Sequence, residues 1–171
     1  QAEFGRKLSE FDEEGFLRWN EKNLEENKDK DWVRACFPWM IRKSLYNEVG
    51  GVDCLFLKYM VDDDDFYLRL SMTGAKMMQT FETAVYHMCS RNTKYKDDEI
   101  NDNGSDEWNR QHLKSTRNFI RKWGVHQGKM YQETEKGVEM IPSKKYDIGL
   151  VVENCTSEAL YFLEPYCSNI Y

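Results

Sequence analysis

No run of apolar residues in this 171-residue chain approaches the ~20 that a membrane-crossing helix needs. No charged segment leading into an apolar core opens it, so no signal peptide is expected. Its five cysteines (Cys36, Cys54, Cys89, Cys155 and Cys167) include no Cys-x-x-Cys pair, which argues against a zinc site. An odd count without a framework fits free thiols in a reducing compartment, and a cytoplasmic location is the expectation. Positive charge is not in excess: 24 Lys and Arg face 30 Asp and Glu, a net charge of -6, which makes nonspecific nucleic-acid binding a poor default. There is no internal repeat. What is present is an ordinary apolar share and a rich aromatic one, 14%. The length suffices for one domain with a sizeable core.

The most unusual stretch is Val61-Asp62-Asp63-Asp64-Asp65-Phe66-Tyr67-Leu68-Arg69-Leu70. Asp before an apolar run marks a helix start, because its carboxylate accepts from the orphan N–H groups of the first turn. Gly74, about three turns on, suits the position just past the helix end. Phe66, Tyr67, Leu68, Leu70 and Met72 would cover most of the circumference, the pattern of a buried helix. Four carboxylates at the mouth of such a helix must hand their charge to solvent, to Arg69, to a metal or to a substrate. A plain solvated cap is one reading and a site is the other.

Upstream stands Phe37-Pro38-Trp39-Met40-Ile41-Arg42, followed after a short segment by Gly50-Gly51-Val52-Asp53. Arg34 to Arg42 reads as a strand, with Pro38 suited to an edge or bulge. Ser44 can cap a short helix that ends at Gly50-Gly51. Downstream, Ala75 to Gln79 and Thr83 to Met88 read as short strands, the second carrying His87. A lone histidine on a strand is either a packed, hydrogen-bonded residue or a ligand.

In this order and spacing, the three blocks resemble the second half of a family-2 glycosyltransferase of the GT-A fold. That family shows an Arg followed by Gly-Gly-Phe-Asp, then Glu-Asp-x-Asp-Phe-x-x-Arg, then Val-x-His; here the resemblance runs from Ala35 to Asn92. It implies an α/β fold, a partial GT-A domain of Rossmann-like character with a mixed sheet flanked by helices. It implies inverting transfer of a sugar from a nucleotide-sugar donor to a hydroxyl of a glycan or protein acceptor. Asp63 takes the base position and Asp62 the position of the motif's Glu. Trp39, Arg42, Gly50, Gly51, Asp65 and Arg69 fall at substrate-binding positions. His87 falls at that of a ligand for Mn²⁺ or Mg²⁺, which places its ring near the acidic run. Val52 replaces the usual Phe. The family's nucleotide-binding half, with its donor-side Asp-x-Asp, has no counterpart before this stretch. The chain therefore reads as a fragment whose own activity is open, and completion of the fold by another chain is one route to an oligomer. The alternative is a noncatalytic carbohydrate-binding or assembly module descended from such an enzyme; a plain acidic interaction domain is a third reading.

Other segments read more simply. Glu3 to Leu24 has helical spacing interrupted at Gly15, and the polar stretch Asn20 to Asp31 reads as the end of a helix plus a loop. Trp19 and Trp32 either pack or stack on a sugar. A second polar stretch, Asn92 to Glu107, carries a turn signal at Asp102-Asn103-Gly104-Ser105. Asp106 to Trp123 is the longest expected helix, with acids first, cations last and Gly124 beyond. Trp108, His112, Phe119 and Trp123 share one face, and Arg110, Lys114, Arg117 and Arg121 form a basic stripe, read as solvated or as meeting a diphosphate or an acidic partner. The break at Ile141-Pro142 suggests residues 1-140 as the transferase-like domain. Residues 141-171 are then a tail with a strand-helix-strand start, an unfinished βαβ unit or the beginning of a second domain.

Overall fold

The computed structural model describes residues 3–5, 8–34, 37–56, 60–87 and 104–171. The chain divides into two compact units, Gln1–Met40 with Met77–Ser105, and Ile41–Lys76 with Asp106–Tyr171. Helices together with antiparallel and parallel strand pairs place the protein in the mixed α/β class.

In the first unit, Asp12 caps helix α1 (Glu13–Glu26) by accepting from the Gly15 amide at 2.9 Å. Gly15 does not interrupt the helix. It lies in the first turn, where a Cβ would sit 2.1 Å from the Asp12 carboxylate, so the glycine makes room for the cap. The helix runs through Glu26, within the 20–31 stretch expected to hold the end of a helix and a loop. Phe16 and Trp19 pack with Phe4 and Tyr86. Strand β1 (Asp31–Val33) pairs antiparallel with β2 (Met78–Thr80), Trp32 opposite Gln79. The strand expected over Arg34 to Arg42 is not formed in its described part. The Phe37 and Trp39 rings stack at 4.3 Å instead of alternating, and Pro38 between them has no N–H for a ladder. Thr83 to His87 likewise finds no strand partner among the described residues. There the Tyr86 hydroxyl is engaged by the N-terminal segment, donating to the Gly5 carbonyl at 2.5 Å and accepting from the Phe4 amide at 3.0 Å. Met88 and the first two residues of the turn at 102–105 lie outside the described residues.

The second unit carries the core. Helix α2 (Lys43–Glu48) starts from Arg42 rather than Ser44, with no side-chain cap bond, and gives way to Gly50 and Gly51. Both glycines have positive φ, 79° and 69°, which favours residues without a Cβ. A turn of 3-10 helix at Cys54–Phe56 buries Phe56. Helix α3 (Asp62–Met72) then buries Asp65, Phe66, Tyr67, Leu68 and Leu70. Met72, expected on the buried side, is 57% exposed. Val61 occupies the cap position in the left-handed region, so the four acids fill the first helical turn and none of them is the cap residue.

Helix α4 (Asp106–Trp123) closes at Gly124, whose φ is +82°. It buries Phe119 and Ile120, as its aromatic face suggests, and also Ser115 and Arg117. A hairpin that the sequence did not announce follows: β3 (Tyr131–Thr134) and β4 (Gly137–Met140), with Tyr131 opposite Met140. Strand β3 is exposed and polar, so it lacks the alternation that marks a half-buried strand; Met130 and Met140 supply the burial. Finally β5 (Gly149–Leu150), α5 (Ser157–Leu163) and β6 (Asn169–Ile170) form a parallel βαβ unit. The expected unfinished unit is therefore closed within the chain, because β6 returns beside β5. Thr156 caps α5 through the Ala159 amide.

Candidate functional site at the start of α3

The four aspartates of α3 have different surroundings. Asp65, the last of them, is fully buried. Its i+4 neighbour Arg69 donates from Nε at 2.9 Å, as helical spacing allows. The last turn of α4 completes the shell: Lys122 Nζ stands 2.7 Å and Trp123 Nε1 2.9 Å from Oδ1. Lys122 also donates to Asp53 Oδ2 at 2.7 Å. That bond, with the Leu55 amide donating to the other oxygen, holds the Asp53 carboxyl below the usual range. Arg69 reaches the Val49 carbonyl with Nη1. The first turn of α3, the turn at Gly50-Gly51 and the end of α4 are thereby joined through two carboxylates and two cations whose charges balance.

Asp63 and Asp64 lie outside this network. Asp63 is half-buried and accepts from the Asp64 amide at 2.9 Å. Burial pushes its carboxyl up, and the charges of Asp64 and Asp62 add to the effect. Asp64 is also pushed up, first by burial; the Tyr131 hydroxyl, which donates to its Oδ1, opposes that, and Asp62 adds to it. Burial and the bond to Asp64 drive the Tyr131 phenol far above its ordinary range. Among the described residues no Lys or Arg pairs with Asp63. The start of α3 thus presents a partly desolvated carboxylate with no cationic partner among the described residues, close to a fully compensated one, an arrangement suited to accepting a proton.

Several residues expected at the site are brought together. Asp62, Asp63, Asp65 and Arg69 share α3, and Arg69 ties the helix to the residue before Gly50 and Gly51. Asp65 and Arg69 are consumed in a buried ion pair rather than left for a substrate. Arg42 is exposed at the start of α2. Trp39 and His87 belong to the other unit, where Trp39 stacks on Phe37 and His87 is exposed. Among the described residues, no three of His, Cys, Asp and Glu converge as a metal-ion site. Three contributors were missed in the sequence: Lys122, Trp123 and Tyr131. The first two read as a helix-end cation and an apolar-face residue, and Tyr131 opens a strand with no periodic signal. Compared with protein-family models, curated proteins and solved structures, the chain matches none of them.

Proposed function

We propose that this chain carries the base-bearing part of an inverting, nucleotide-sugar-dependent glycosyltransferase, built as a partial GT-A domain, with Asp63 as the base. The observation that supports it is the division of labour in α3. Asp65 is neutralised by Arg69 and Lys122, while Asp63, two residues earlier, is half-buried with no cationic partner among the described residues. A carboxylate pushed up in this way is a better proton acceptor at neutral pH than an ordinary surface aspartate. In the proposed step Asp63 takes the proton of an acceptor hydroxyl. The hydroxyl oxygen forms a bond to the anomeric carbon from one side as the bond to the diphosphate oxygen breaks on the other. The electron pair leaves with the diphosphate, and the configuration inverts. No step is routed through a metal ion, and the described residues assign no group to the nucleotide.

The test is transfer of labelled sugar from nucleotide-sugar donors to glycan and protein acceptors by the wild-type protein and two variants. Asp63→Asn keeps the shape and removes the base, so turnover should fall by about 10²–10⁴-fold. Asp64→Asn should cost much less. Equal losses at both would mean that the run acts through its summed charge. Glycan binding without transfer in the wild type would favour the noncatalytic carbohydrate-binding alternative.

A further inference from the structure

We infer that the C-terminal βαβ segment, residues 149–171, is a separately opening module that a guanidinium–carboxylate clasp at Glu164 holds against helix α4. Very little else secures it. Pro165 is its only buried residue, and Val151, Phe162 and Tyr171 are 75%, 53% and 77% exposed. Its two strands are two residues long each, and a parallel pair of that length contributes little by itself. The segment that leads into it, 141–148, is exposed and has neither helix nor strand structure.

Against this weak background the clasp is dense. Glu164 accepts from Arg117 Nη2 at 2.7 Å and from Arg121 Nε and Nη2 at 3.0 and 2.6 Å. The Arg117 guanidinium also lies 3.5 Å over the Tyr161 ring. Arg117 is 8% exposed, and its Nη1 has no hydrogen-bond partner among the described residues, so removing Glu164 would strand a buried cation. The basic stripe of α4, read from sequence as solvated or as meeting an acidic group, thus meets this carboxylate with two of its four residues. A cavity of about 220 Å³ lies between the two sides, lined by Arg121, Gly124, Lys145 and Tyr146 on one and Glu164 and Ser168 on the other. The charged and titratable groups around Glu164 are therefore Arg117, Arg121, Lys145, Tyr146, Tyr161 and Tyr166, with the Cys167 thiol beside them. Opening the clasp would release the module, expose Arg117 and unroof this cavity. Segments with few buried contacts open at lower free energy than the body to which they are attached.

Native-state amide hydrogen exchange on the full chain tests this. In the wild type, the amides of α5 should exchange faster than those of α3, through an opening that exposes less surface than global unfolding does. Glu164→Gln keeps the shape and removes the charge; it should speed α5 exchange by about tenfold or more, the scale of a charge-assisted hydrogen-bond network, and leave α3 rates unchanged. Exchange of α3 and α5 at one common rate in the wild type would overturn the inference. So would a Glu164→Gln chain whose α5 rates do not move. The wild-type comparison stands even if the variant does not fold.

Discussion

Three consecutive residues of the aspartate run, Asp63, Asp64 and Asp65, end up in three different states, and the difference lies in what each side chain meets. Asp65 is closed in by Arg69, Lys122 and Trp123, Asp64 is met by the Tyr131 phenol, and among the described residues Asp63 is met by the Asp64 amide and by like-charged neighbours. Two expectations follow at this scale. The folded state holds the Asp63 carboxyl above its unfolded value, so its ionised form is disfavoured by folding. That penalty is absent below the ordinary aspartate range, where both states are protonated, and grows as pH rises through the raised value. Asp63→Asn should therefore raise the melting temperature at pH 7, by about 1–3 °C for a chain of this size, and the gain should vanish in acid. A lower melting temperature at pH 7 would mean that the carboxylate is structural. Tyr131→Phe removes the bond that opposes the rise at Asp64, so carboxyl NMR should show Asp64 titrating at higher pH than in the wild type. An unchanged midpoint would mean that the phenol does not hold this carboxylate in solution. The acidic run and its helix were legible in the sequence, but the sorting of the four acids was not. It depends on Trp123 and Tyr131, which stand 58 and 67 residues away from their partners.

At the scale of elements, α3 is placed by α4. Lys122 binds carboxylates of both Asp53 and Asp65, so one side chain fixes the turn after Gly51 to the first turn of α3. Lys122→Met keeps the stem and removes the charge. It leaves a fully buried aspartate short of a partner and should cost about 3 kcal/mol in urea unfolding. A loss below about 0.5 kcal/mol would mean that Arg69 and Trp123 suffice. The pair also gives a pH signature. Asp53 is held below its unfolded value, so its contribution is present above the ordinary aspartate range and is lost as pH falls through the lowered value. The Lys122→Met protein should lose that part of its acid sensitivity. The helices α3 and α4 were legible because each couples an acidic first turn to an apolar or aromatic face and a following glycine. The β3–β4 hairpin was not, because its first strand is polar throughout and its ends are fixed by Met130 and Met140, outside any alternation. Pro38 and the Phe37–Trp39 stack explain why an aromatic run that reads as a strand is not one.

At the scale of the whole molecule, the α/β class was expected from the resemblance carried by the three blocks between Ala35 and Asn92, and the division into two units was not expected. Each unit is discontinuous in sequence, so no composition shift marks its edge. The buried apolar core belongs to the second unit, which also contains Asp63, Asp65, Arg69, Lys122 and Tyr131. The central claim is that the Asp63 carboxylate is the proton acceptor in sugar transfer. The most direct measurement is the pH profile of transfer by wild-type protein beside Asp63→Asn, with labelled nucleotide-sugar donors and saturating acceptor. The wild-type rate should fall on acidification with a midpoint above the ordinary aspartate range, and Asp63→Asn should be slower by about 10²–10⁴-fold with that limb gone. A variant as active as wild type, with the same acid limb, would contradict the account.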